Sequence, residues 1–260
     1  MNSVRTTQPI HRVPLTQRYA KGLRFLSLPG IPGYLEIGTQ AYATYPPQLG
    51  NSLNTSNPRI GSRSGRAAVV DGTTSSIQFA RVGSLESYTE IPSGADWTFL
   101  VSADAVDYTG ANPGFWRCAS GSGTTFCILN STGMWIRCNG TDITGSKGQP
   151  PIGSTVQAVY SIRSGLWATG AVNGVLHINQ STAATTEAMT GTNGINLWGN
   201  QSGSDRIYGN YTLLGMLGFA VGPQEAIALS LNPWQIFEPE LRRTYFVPAA
   251  AQTLWAQSAL

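Results

Sequence analysis

From residue 66 onward, apolar and polar positions alternate in short runs. The segments "RAAVVDG", "SSIQFARV", "DWTFLVSADAV", "GFWRCAS", "TFCILNS", "MWIRCNG", "STVQAVYSIRSG", "LWATGAV", "GVLHINQ", "GINLWGN" and "LLGMLGFAVG" succeed one another with Gly, Asn or Asp in nearly every gap. Period-2 runs at roughly ten-residue spacing predict an antiparallel sandwich or barrel rather than βαβ units. One segment departs from the pattern. In "PQEAIALSLNPW", Pro223 suits a first helical position, Glu225 falls in the first turn, and Ala226, Ile227 and Leu229 or Leu231 form an apolar side. This predicts a helix that Asn232-Pro233 ends.

The two ends lack such periodicity. Residues 1–28 read as an extended basic arm carrying Arg5, Arg12, Arg18, Lys21 and Arg24 ahead of the first acidic residue, Glu36. Without a period of 2 or 3.6, such an arm either stays solvated or lies along a neighbouring subunit. Residues 29–63 alternate Tyr- and Leu-bearing stretches with Pro and Gly, and Pro46-Pro47 excludes a central strand there. The domain reading is therefore an arm over 1–28, a sandwich over 29–231 and an extension over 232–260. In that extension Trp234, Phe237, Tyr245 and Phe246 are available as anchors.

Composition agrees with many strands and turns: of 260 residues, 30 are Gly and 15 Pro, and only 11% are charged. That length fits a single all-β unit with tails. The opening residues hold no apolar run of signal-peptide length, and no window has the roughly 18 apolar residues of a membrane span. The expectation is a soluble chain made in a cytosol. A net charge of +3 makes the whole molecule a poor polyanion binder, so no specific nucleic acid is expected.

All three cysteines, Cys118, Cys127 and Cys138, fall within "GFWRCASGSGTTFCILNSTGMWIRCNG". Two-residue turns centred on Ser122-Gly123 and Thr132-Gly133 would make a three-stranded meander with the cysteines in one row. Their face, with Trp116, Leu129, Met134 and Ile136, is the apolar one; the other carries Phe115, Arg117, Phe126, Ile128, Asn130, Trp135 and Arg137. Three thiols spaced eight and ten residues apart with no histidine nearby do not match a zinc motif. Buried free thiols acting as small apolar groups are expected. On the opposite face, Arg117, Ile128 and Arg137 would line up beside Trp135, and Arg117, Trp135 and Arg137 are candidates for stacking and hydrogen bonding to sugar rings or for a protein interface. The plainer reading is that the long arginine stems cover a partly solvated sheet.

Four stretches in this order carry a family resemblance: "GRAAVVDGTTSSIQF", "DWTFLVSADA", "LWATGAVNGVLHI" and "YTLLGMLGFAVGPQEAIALSLNPWQIFEP". Over residues 65–231 the chain resembles the concanavalin A-like, laminin-G-like lectin domains of the bacteriophage-borne type. The resemblance implies a jelly-roll-like sandwich of two antiparallel sheets, with Asn173-Gly174 in a type I′ turn where a β-branched replacement of Gly174 would be costly. Some members bind calcium and glycans at the sandwich rim. No acidic pair here stands in a matching loop; Asp104, Asp107, Asp142 and Asp205 are only candidates, so no cofactor is assigned.

Catalysis has little to work with. Sandwich glycoside hydrolases aim carboxylates from one strand at one face, but Glu86 and Glu90 have no acidic residue between them and Pro92 interrupts the strand. The two histidines, His11 and His177, pair with no nucleophile in sequence, and His177 reads as a strand residue on the polar side. A non-enzyme is expected, with glycoside hydrolysis the remote alternative. The leading expectation is a structural phage virion protein, a capsid decoration or tail appendage. Its terminal arms would grip other virion proteins and copies of itself. The alternative is a carbohydrate-binding protein that recognises a host surface polysaccharide.

Overall fold

The computed structural model describes residues 19, 22–27, 36–37, 42–43, 59–62, 65–70, 77–79, 92–108, 114–119, 124–187, 195–197 and 208–236. Two antiparallel sheets face each other across an apolar core. The larger runs in the order β14 (Val175–Ser181), β13 (Trp167–Val172), β12 (Val156–Arg163), β7 (Trp97–Asp107), β16 (Tyr208–Leu217), β5 (Gly65–Val70) and β4 (Arg59–Ser62). Strand β1 (Leu23–Ser27) pairs with β16 through residues 214–217, so the end of the presumed 1–28 arm is part of the sandwich. Arg24 falls where that pairing changes register. The smaller sheet runs β11 (Thr141–Gly145), β10 (Gly133–Cys138), β9 (Thr124–Asn130), β8 (Gly114–Ala119), β15 (Ile195–Leu197) and β6 (Ile77–Phe79). A short pair, β2 (Glu36–Ile37) and β3 (Tyr42–Ala43), forms a ladder of its own, with β2 beside β1.

Alternation builds the core. Trp97, Phe99, Val101 and Ala103 of β7 point between the sheets with Ala158, Tyr160 and Ile162 of β12, meeting Leu129, Met134, Ile136 and Cys138 from the smaller sheet. The intervening residues of β7 are buried as well, because helix α1 (Pro223–Leu231) and the 3-10 turn Pro233–Ile236 lie on the larger sheet's outer face. There Leu23, Leu100, Val159, Ala171, Leu213, Leu217, Ala226, Leu229 and Ile236 form a second apolar cluster, each large side chain contributing about 2 kcal/mol. The helix begins with Pro at its first position and ends at Asn232, as its sequence requires. Trp234, named above as an assembly anchor, is half-buried against this cluster of its own chain.

The turns explain where the sequence-derived register slips. Asn173 and Gly174 have φ of 48° and 81°, the type I′ pair expected from Asn-Gly. A Cβ on Gly174 would also lie 2.5 Å from the Leu231 side chain, so that position is closed twice over. The second hairpin of the cysteine meander turns on Ser131-Thr132 instead of Thr132-Gly133, because Asn130 Oδ1 accepts the backbone N–H groups of Thr132 and Gly133 at 2.9 and 3.0 Å. Gly133 is required for a different reason: a Cβ there would meet the Gly145 carbonyl oxygen at 2.5 Å. In the first hairpin Ala119 opposes Thr124, leaving 120–123 as a longer connection outside the described residues.

Both registers therefore shift by two residues. Cys127 opposes Trp116 and Ile136, Cys118 opposes Thr125 and Ile195, and Cys138 opposes Thr141, so the three thiols do not share a row. A shift of two leaves Leu129, Met134, Ile136, Cys127 and Cys138 on their predicted apolar face. Cys127 and Cys138 are free and buried, and burial raises both thiols, Cys138 to about 11. Phe115 breaks the expected alternation: the register shifts between Gly114 and Trp116, and its ring enters the core 6.3 Å from Tyr160 and 6.4 Å from Tyr211.

Candidate functional site

The sequence-predicted site lies on the outer face of the smaller sheet. Backbone pairing puts Asn196, Arg117, Phe126, Arg137 and Asp142 in one row across five strands. Phe126, and not Ile128, therefore separates the two arginine positions; Ile128 opposes Trp135 in the next row. The Arg137 guanidinium donates from Nε and Nη2 to the two Asp142 carboxylate oxygens, both at 2.5 Å. This cross-strand pair raises the Arg137 pKa, chiefly through the hydrogen bond. Arg137 is thus already occupied by its own chain, while Trp135 beside it is half-buried.

A second site, absent from the sequence expectations, lies on the outer face of the larger sheet beside the start of α1. A cleft of about 170 Å³ is lined by Ser161, Arg163, Trp167, Thr169, Ala220, Val221 and Gly222. Its two prominent side chains arise from one turn. Gly165, with φ of 68°, closes the three-residue connection 164–166, so Arg163 and Trp167 become direct cross-strand partners on the same face. Ser164 N–H donates to Asp96 Oδ1 at 3.0 Å, and Gly165 N–H to the Ala184 carbonyl at 2.8 Å. These bonds fix the turn.

The indole is oriented too. Trp167 Nε1 donates to Asn179 Oδ1 at 2.8 Å, yet 39% of the residue remains exposed, and Leu166 beside it is 58% exposed. Beneath them Ser161 Oγ accepts from Val221 N–H at 2.9 Å and shares a 2.9 Å hydrogen bond with Thr98 Oγ1. Thr98 in turn donates to the Phe219 carbonyl at 2.7 Å, which ties the 218–222 wall to the sheet. The cleft is therefore held open by hydrogen bonds on both sides before any ligand arrives. Arg163 is exposed and, unlike Arg137, has no ion pair among the described residues.

Two of the remaining candidates have partners within the fold. Asp104 is buried and accepts Thr155 Oγ1 at 2.7 Å, Asp142 holds Arg137, and Asp205 lies outside the described residues. No cluster of three or more His, Cys, Asp or Glu that could hold a metal occurs among the described residues. His177, expected on the polar side, is only 7% exposed, at a register shift where β14 meets β13. Burial, with Lys147 nearby, lowers its pKa. Arg5, Arg12, Arg18, Lys21, Phe237, Tyr245 and Phe246 all lie outside the described residues. No helix among the described residues is long and apolar enough to cross a membrane.

Neither a family model nor a curated protein matches the chain. Solved structures do. The binding domain of Paraclostridial Mosquitocidal Protein 1 is similar with a TM-score of 0.58 at 13% identity, over 82% of this chain and 52% of that one. The chain thus spans about half that domain's length. Domain 4 of AbnA, a GH43 extracellular arabinanase from Geobacillus stearothermophilus solved with arabinotriose, gives a TM-score of 0.48 at 16% identity over 66% and 80%. The Ruminococcus gnavus IT-sialidase CBM40 bound to α2,3-sialyllactose gives 0.41 at 13% over 54% and 94%. At these identities the likeness is one of fold, a two-sheet sandwich.

Proposed function

We propose that this chain is a carbohydrate-binding sandwich and that the cleft at Trp167 is its binding site. The observation that carries this reading is an indole held in place by Asn179 while over a third of the residue stays exposed, on the rim of a cleft with hydroxyl and guanidinium groups around it. Sugar rings present an apolar C–H face and a polar rim, and an oriented aromatic plate flanked by hydrogen-bonding groups matches both. A volume of about 170 Å³ is below that of drug-sized pockets and suits one sugar ring with the rest of the chain in solvent.

Binding without turnover fits the chemistry around the cleft. No carboxylate is among the described residues that line it. The fold shared with a toxin's binding domain is compatible with such a role. The phage-borne, concanavalin A-like type remains our reading of the motifs over 65–231. Attachment to a virion would rest on the arms over 1–28 and 232–260, most of whose residues lie outside the described ones.

A glycan array tests the proposal. The wild-type protein should bind a defined subset of glycans, and Trp167→Ala should weaken that binding at least about tenfold, the loss expected for a central aromatic anchor. Trp135→Ala, on the opposite outer face, should leave it intact. Loss in Trp135→Ala with retention in Trp167→Ala would move the site to the smaller sheet.

A further inference from the structure

We infer that the sugar taken by the Trp167 cleft carries a carboxylate. This inference deepens the carbohydrate reading and rests on it. It begins from the contrast between two exposed arginines on opposite outer faces. Arg137 has its forked hydrogen bonds filled by Asp142 across the strand pair. Arg163 stands across from an aromatic residue, Trp167, on β13, and on its other side the β12–β7 register leads to Asp96, with which it makes no ion pair.

Two carboxylates of the described residues make hydrogen bonds of their own within the chain. Asp96 Oδ1 accepts the Ser164 N–H in the turn that follows Arg163, and Glu225 Oε1 accepts the Tyr19 hydroxyl at 3.0 Å. The guanidinium therefore keeps its donors for an incoming group. Because a guanidinium presents planar, paired N–H groups that match a carboxylate, and stays charged throughout the accessible pH range, an acidic substituent is the partner it selects best.

Geometry places that substituent. A ring lying on the Trp167 indole has its edge within reach of the directly opposed Arg163, since cross-strand Cβ atoms stand about 5 Å apart. Stacking on Trp167 would supply affinity for the ring, and Arg163 would discriminate an acidic sugar from its neutral counterpart.

The test uses the full chain and a set of uronic- and sialic-acid oligosaccharides, each paired with its own methyl ester so that only the charge differs. Calorimetric titration should give acid forms bound about tenfold more tightly than their esters, the discrimination expected from one charge-assisted hydrogen-bond pair. Raised salt should reduce that ratio. In Arg163→Gln the ratio should fall to about one, whereas Lys147→Gln, which removes an equal charge elsewhere, should keep it. Acid and ester bound equally by the wild type, with both lost in Trp167→Ala, would overturn the carboxylate inference and leave the sugar site standing. Should the wild type bind no sugar, acidic, esterified or neutral, the carbohydrate reading falls and this inference with it. The wild-type comparison alone decides the matter even if Arg163→Gln does not fold.

Discussion

The outer faces of the two sheets are built from the same alternation and end in different states. On the larger sheet the outer positions Leu100, Val159, Ala171 and Leu213 pack in one cluster with α1 and the turn after it, and beside them the Trp167 cleft is open. On the smaller sheet the outer positions Arg137 and Asp142 neutralise each other beside half-buried Trp135. A face covered by a helix is committed to stability, and its uncovered border keeps side chains whose polar groups are unspent. The cross-strand partner separates the two arginines: Asp142 faces Arg137, and Trp167 faces Arg163.

The largest break in this comparison is to loosen the cover. Leu229→Ala removes a fully buried side chain from the helix–sheet interface and should cost about 2–5 kcal/mol in denaturant unfolding. It should also weaken sugar binding, because the 218–222 wall of the cleft leads directly into α1. Destabilisation with undiminished binding would show that the wall is set by Thr98 and Ser161 alone.

An intermediate effect belongs to the seam between the two sheets, where β11 meets β14 and Gly145 closes on the His177 carbonyl. His177 has its pKa lowered by burial, so the folded state binds fewer protons than the unfolded chain. Its neutral form contributes stability in full above the unfolded value of 6.5, and that contribution declines as pH falls from there toward the lowered folded pKa. Thermal unfolding followed from neutral to mildly acidic pH should show Tm falling less steeply in His177→Gln than in the wild type. Parallel slopes would mean that acid sensitivity arises from other groups.

The smallest effect is expected on the smaller sheet. Arg137→Ala opens an ion pair whose side chains are each about a third exposed, and should cost about 0.5 kcal/mol, diminishing with salt. A loss of several kcal/mol would show that the row from Asn196 to Asp142 acts as a connected network instead of an isolated pair.

Much of the fold was legible because it depends on local rules. The strand spacing, the helix from Pro223 and the Asn173-Gly174 turn each follow from a few adjacent residues. The cysteine meander shows where such rules stop. Face assignment survived for Leu129, Met134, Ile136 and the buried thiols because the register error was an even number, while the row of three thiols did not, because Asn130's side chain chose the turn. Phe115 was misplaced by a single register shift, a feature that alternation cannot foresee. The cleft was partly within reach: a three-residue connection around Gly165 already pairs Arg163 with Trp167.

Sequence by itself determined which residues share a strand face, where the chain turns and where it becomes helical, since these depend on period, on φ and on side chains a few positions apart. Tertiary structure alone decided which outer face the helix covers. It also decided that Trp167 and Arg163 are left at an open margin. Those outcomes depend on contacts between segments far apart in the chain, such as Ser161 with Val221 and Thr98 with Phe219, and no local pattern encodes them.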